Sequence, residues 1–135
     1  MSSSNGSNNW NVSFSMISFF ERALGGHNKV ASVNRTRDIH FAIKLENGNT
    51  INVLLLNEYS LGLAAVLRAK SEFPDIEYVV TGGEWNGYTY EAKEHAKENS
   101  MGVFTGGEFL GALNWTDPKS YYKKDKDGNP VYNYK

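Results

Sequence analysis

An α/β domain with a mixed sheet of four or five strands flanked by helices is the fold this sequence predicts, and three stretches predict it. Residues 38–46 alternate apolar and polar side chains and end in Asn47-Gly48, a pattern typical of an antiparallel hairpin. Residues 51–56 and 76–80 are almost continuously apolar, as suits strands covered on both faces. Between these two runs lies a helix-like segment, 61–73, so the strands it joins should lie parallel with a right-handed crossover.

The elements follow in order. Residues 1–9 hold only Ser, Asn and Gly after Met1; they bury too little apolar surface to offset the entropy of ordering and are expected to form a disordered arm. From Val12 to Leu24, Phe14, Ile17, Phe20, Ala23 and Leu24 recur at helical spacing, and Gly25-Gly26 supplies a stop. Lys29–Val33 is a short strand candidate. In the next strand Ile39, Phe41, Ile43 and Leu45 share one face, with Asp38, His40, Lys44 and Glu46 on the other. Asn47-Gly48 is expected to form a type I′ turn, because both residues tolerate positive φ. Pro74-Asp75 ends the crossover helix.

Thr89 can cap a helix reaching about Asn99, with Glu91 favourable in its first turn, and Gly102–Phe104 can form a last strand. Thr105 and Glu108 have the spacing of a capping box ahead of a short helix, Phe109–Leu113. Residues 114–135 carry Asp127-Gly128-Asn129-Pro130 between aromatic pairs and fit either a hairpin or an extended docking tail. The chain thus divides into an arm at 1–9, an α/β domain at 10–113 and an aromatic, basic tail at 114–135. The expected core comprises Ile39, Phe41, Ile43, Val53, Leu55, Val79, Val103, Phe104 and Leu110.

Composition narrows the function classes. The 135 residues suffice for one core without disulfides or a metal. With 14 basic and 15 acidic side chains the net charge is −1, so any attraction to nucleic acid or an anionic membrane must come from a local patch. The absence of cysteine excludes thiolate catalysis, disulfides and cysteine-ligated zinc. His27, His40 and His95 lack zinc-ligand spacing and read as surface histidines. The polar start and the short run 16–20, interrupted by Ser18, suit neither a secretory signal nor a membrane span, so a cytoplasmic protein without membrane contact is expected.

The element order of helix, strand, hairpin, parallel strand, helix, strand, helix resembles the restriction-endonuclease-like fold, in particular Mrr-type nuclease domains of the PD-(D/E)xK kind, from Phe19 to Leu113. The local likeness is carried by Tyr78-Val79-Val80-Thr81, by the helix with Ala92 and Ala96, by Met101-Gly102-Val103-Phe104, and by Glu108-Phe109-Leu110. The resemblance implies a metal-binding Asp at Asp38, an accessory acid at Glu21, and a Glu/Gln-x-Lys pair near Leu55-Leu56-Asn57, with Tyr59 as the aromatic that follows the lysine. On that register Leu55 replaces the acid and Asn57 the lysine. Mg²⁺ needs oxygen ligands, and the lysine would orient water or stabilise phosphate charge; leucine does neither. The plainer readings are a structural aspartate at a strand start for Asp38 and a solvated helix residue for Glu21.

Two further sets of residues invite a binding role. Ligands of open α/β sheets lie beyond the carboxyl ends of the parallel strands. There the loop from Thr81 to Tyr88 offers Gly82 and Gly83 for close backbone approach, Trp85 and Tyr88 as stacking faces, and Asn86 for a polar edge. The alternative is a turn packing its aromatics on the sheet. In the tail, Tyr122, Lys123 and Lys124 belong to an interleaved set of lysines and tyrosines that can neutralise phosphates and stack on bases; Asp117, Asp125 and Asp127 dilute it. The expected function is therefore a nuclease-fold protein without catalysis that binds nucleic acid or a protein partner and requires no cofactor. Its rivals are an active Mg²⁺-dependent phosphodiesterase, with Glu46 or Glu58 as the second acid, and a small-ligand binder at the Gly82–Tyr88 loop.

Overall fold

The structure, a computed structural model, describes residues 10–135, and the arm expected at 1–9 lies outside them. Ser13 opens α1 (Phe14–Gly25), its hydroxyl accepting from the Met16 amide at 3.2 Å. Then come β1 (Val30–Thr36), β2 (His40–Leu45), β3 (Thr50–Leu56), β4 (Ser60–Leu61), α2 (Leu63–Glu72), β5 (Tyr78–Thr81), β6 (Gly87–Tyr88), α3 (Tyr90–Glu98), β7 (Gly102–Thr105) and α4 (Gly106–Ala112). A 3₁₀ turn at 118–120 leads to a small hairpin of β8 (Lys123–Lys124) and β9 (Pro130–Val131). No helix among the described residues is long and apolar enough to cross a membrane.

The main sheet has the order β1-β2-β3-β5-β7. Its first three strands form an antiparallel meander, and β3, β5 and β7 run parallel, as the apolar runs and the intervening helix predict. One face carries α1 and α4, where Phe20 meets Phe41 edge-on at 5.1 Å and Phe109 at 6.0 Å. On the opposite face α2 and α3 pack together. Eight of the nine expected core residues are buried, whereas Leu110 is only half-buried.

Three local readings differ. Asn47 does not take positive φ; Glu46–Asn47–Gly48 form a three-residue loop closed from Leu45 to Asn49, with φ +94° at Gly48 alone. The Asn47 side chain accepts from the Asn49 amide at 2.9 Å, an Asx turn that makes the longer loop favourable. In the β1–β2 turn Arg37 (φ 49°) and Asp38 (φ 64°) take left-handed backbone, so Asp38 sits in that turn rather than on the strand. His40 is not a surface histidine: it is buried, stacked on Phe73 at 5.8 Å and held by Thr36 and Asp75, because the face it shares is also covered.

The tail is both hairpin and docking strand. The Tyr88 amide donates to the Asn133 carbonyl at 3.0 Å and the Lys135 amide to the Tyr88 carbonyl at 2.8 Å, so the tail extends the parallel pair of β4 and β6. This approach is close enough that a Cβ at residue 87 would strike the Asn133 carbonyl, which is why glycine stands there.

Candidate functional site

A groove of about 770 Å³ opens at the carboxyl ends of the parallel strands. Its floor is Leu55 of β3, one wall is Gly82 to Glu84 after β5, another is Thr105 to Gly107 after β7, and α1 closes it with Met16, Phe19 and Phe20. Helical spacing explains that last wall, since residues 16, 19, 20 and 23 fall on one stripe of α1. Leu110, half-buried on α4, completes the apolar lining. On the wall Phe19 is 66% exposed, and Trp85, between the lining residues Glu84 and Asn86 in the chain but not itself lining the groove, is 74% exposed.

The loop between β5 and β6 is built from its own hydrogen bonds. Thr81 is buried, and its hydroxyl donates to the Glu58 carbonyl at 2.7 Å while accepting from the Glu58 amide at 2.9 Å. The Asn86 amide group donates to the Gly82 carbonyl at 2.6 Å and to the Asn57 side-chain oxygen at 3.0 Å. Gly83 has φ +94°, and a Cβ there would lie 2.7 Å from that amide nitrogen. Asn57, Thr81, Gly82, Gly83 and Asn86 thus form one brace. Tyr88 offers no stacking face: it is wholly buried, with its hydroxyl donating to Glu108 at 2.8 Å and accepting from the Asn133 amide at 3.1 Å. Trp85 keeps the free aromatic face.

The two acids of the nuclease pattern do come together, through a residue that sequence reasoning passed over. Arg35 lies 3.6 Å from a Glu21 carboxylate oxygen and 3.4 Å from one of Asp38. Asp38 stands at the same sheet end as Leu55, whose amide donates to the Ile39 carbonyl at 2.9 Å. Neither carboxylate lines the groove. Glu46 belongs to the hairpin at the opposite end of β2, and Glu58 is fastened to Thr81 through its backbone. Among the described residues no three His, Asp or Glu side chains gather as metal ligands.

No family model, curated protein or solved structure matches the chain.

A second cluster lies behind the tail. Lys93 is buried, donating to the Val103 carbonyl at 2.6 Å on the free edge of β7, with its ammonium 4.1 Å from the Phe104 ring centre and 5.0 Å from that of Tyr88. Burial pulls its pKa down to about 8 against the opposing attraction of Glu108. Glu108 serves two masters: one oxygen accepts from the Thr105 amide, closing the capping box, and the other takes the Tyr88 hydroxyl. Lys93 also lines a second groove of about 630 Å³ with Lys97, Lys119, Tyr121, Tyr122 and Tyr132. Of the expected tail residues, Tyr122 is half-buried there, Lys124 sits 5.7 Å from its ring centre, and Lys123 is exposed.

Proposed function

We propose that this chain is a restriction-endonuclease-like protein of the Mrr kind that binds without cutting, and that its groove receives an apolar segment of a protein partner. The order and direction of the strands agree with that resemblance, and Asp38 stands next to the position expected for the paired motif. The observation that carries the proposal is electrostatic. Where a divalent cation would need converging carboxylates, Leu55 forms an uncharged floor, and the guanidinium of Arg35 lies within 3.6 Å of both remaining acids. A fixed positive charge there opposes a cation, and two acids already paired with it offer little to offset dehydration of Mg²⁺.

The choice of partner follows from the lining. The groove walls are mainly apolar, Phe19 on the wall is exposed, Trp85 is exposed in the loop that supplies another wall, and exposed aromatics of this kind anchor protein interfaces. The net charge of −1 adds no attraction for a polyanion at this site. A small polar ligand is less favoured, because the amide of Asn86 is committed to its own loop.

Two measurements test the proposal. With Mg²⁺ or Mn²⁺ the protein should leave plasmid, linear DNA and RNA intact; cutting that vanishes in Asp38→Ala, purified identically, would replace the proposal with an active nuclease. A photo-crosslinking side chain placed at Phe19 should yield a discrete protein adduct in the producing cells, absent when the probe stands at Lys126 instead. Adducts to nucleic acid, or none, would refute the protein-partner reading.

A further inference from the structure

Outside the groove, tyrosines and lysines lie side by side along one band. Tyr59 is 63% exposed beneath the Lys135 ammonium, which lies 5.2 Å from its ring centre. The next residue, Tyr134, has its ring 5.8 Å from Tyr90 and 5.3 Å from Tyr132. Lys97 follows, 4.7 Å from the Tyr132 ring centre, and with Tyr132 it enters the second groove, where Lys119, Tyr121 and Tyr122 stand and Lys124 lies over Tyr122. Residues far apart in sequence build this band because the docked tail lays 132–135 beside β6 and α3.

We infer that this band is a track for single-stranded nucleic acid, its tyrosines stacking on bases and its lysines meeting phosphates. Stacking needs aromatic faces open to solvent, and Tyr59 and Tyr90, at 63% and 58% exposure, provide them without unfolding anything. The need for bare base faces selects a single strand, since a duplex keeps its bases stacked inside. Two of the lysines are already paired, Lys97 with Glu94 and Lys119 with Glu77, each at 3.4 Å, and Asp117 lies in the same groove. Counterion release will therefore be modest. Four lysines, Lys97, Lys119, Lys124 and Lys135, at about 0.7 each set a ceiling of about 2.8 on the log–log salt slope. Most of the affinity must come from the rings. None of the band's tyrosines lines the apolar groove, so the inference stands apart from the protein-partner proposal.

The test is fluorescence anisotropy with labelled oligothymidylate and oligouridylate at low salt, with a hairpin duplex as comparison. Both single strands should bind, at least about tenfold more tightly than the duplex, given the stacking strength of exposed aromatics. Replacing Tyr59 and Tyr90 together by Ala should weaken single-strand binding by about tenfold or more, while the fold is retained because both side chains are exposed. Phe19→Glu should leave this affinity unchanged, which separates the track from the groove. Failure of both single strands to bind, equal or tighter binding of the duplex, or a double variant that binds like the parent would overturn the inference.

Discussion

Ser100 illustrates how much a single residue can carry. It follows α3 with φ 56°, while the next amide, that of Met101, bonds back to the Ala96 carbonyl at 2.8 Å, a helix ending for which glycine is the preferred residue. A side chain in the left-handed region costs about 1–2 kcal/mol. Ser100→Gly should therefore stabilise the protein by about 1 kcal/mol and raise its melting temperature by about 3–5 °C, measured by calorimetry; an unchanged or lower value would show that the Ser100 side chain contributes a compensating contact. Asp38 occupies the same region at lower cost, because aspartate tolerates it better than most residues. Its turn position and its pairing with Arg35 give it a structural occupation that its place in the nuclease pattern alone does not reveal.

At the scale of elements, the tail is the part most open to trial. Deleting residues 132–135 removes the bonds from Tyr88 to Asn133, from Lys135 to Tyr88, and from the Asn133 amide to the Tyr88 hydroxyl. At about 1 kcal/mol for each hydrogen bond the loss should be about 2–4 kcal/mol, read as a lower urea midpoint; an unchanged midpoint would mean that the docked strand is marginal in solution. This same strand shows where sequence reading stops. Strands β2, β3 and β5 are legible because a buried face or a doubly covered strand imposes a side-chain pattern. The two-residue strands β4 and β6 and the tail strand they pair with are too short to impose such a repeat. The groove is legible as a place, from the rule that ligands sit at the ends of parallel strands, but its α1 wall is not, since Met16 and Phe19 fall outside the stripe of Phe14, Ile17, Phe20, Ala23 and Leu24 that helical spacing picks out. Trp85 and Tyr88 looked alike in one loop; what separates them is Glu108, too distant in sequence to leave a local sign.

For the whole molecule, the buried cluster behind the tail sets a pH dependence of stability. Lys93 titrates near 8 when folded and near 10.5 when unfolded. Between about pH 8 and 10.5 the unfolded chain therefore binds more protons, and stability rises with pH. Tyr78 and Tyr88 act in the opposite sense: burial raises both above the ordinary 10.0, so above about pH 10 the unfolded chain releases protons that the folded chain keeps, and stability falls. Urea titrations should accordingly show a maximum between about pH 9 and 10. Lys93→Met should abolish the rise on its acid side while leaving the alkaline fall; a parent protein most stable near pH 6 would contradict the buried ammonium. This cluster is sealed by Asn133, which stands 45 positions after the Tyr88 it bonds. On a ribosome adding roughly 5–20 residues per second, the stretch from Thr105, the last residue of β7, to Asn133 takes about 1–6 s of synthesis, so the five strands of the sheet are made before the strand that closes the cluster. Each newly made molecule thus passes through a window in which Tyr88, Glu108 and Lys93 lack that cover, open to chaperones or proteases that sample nascent chains.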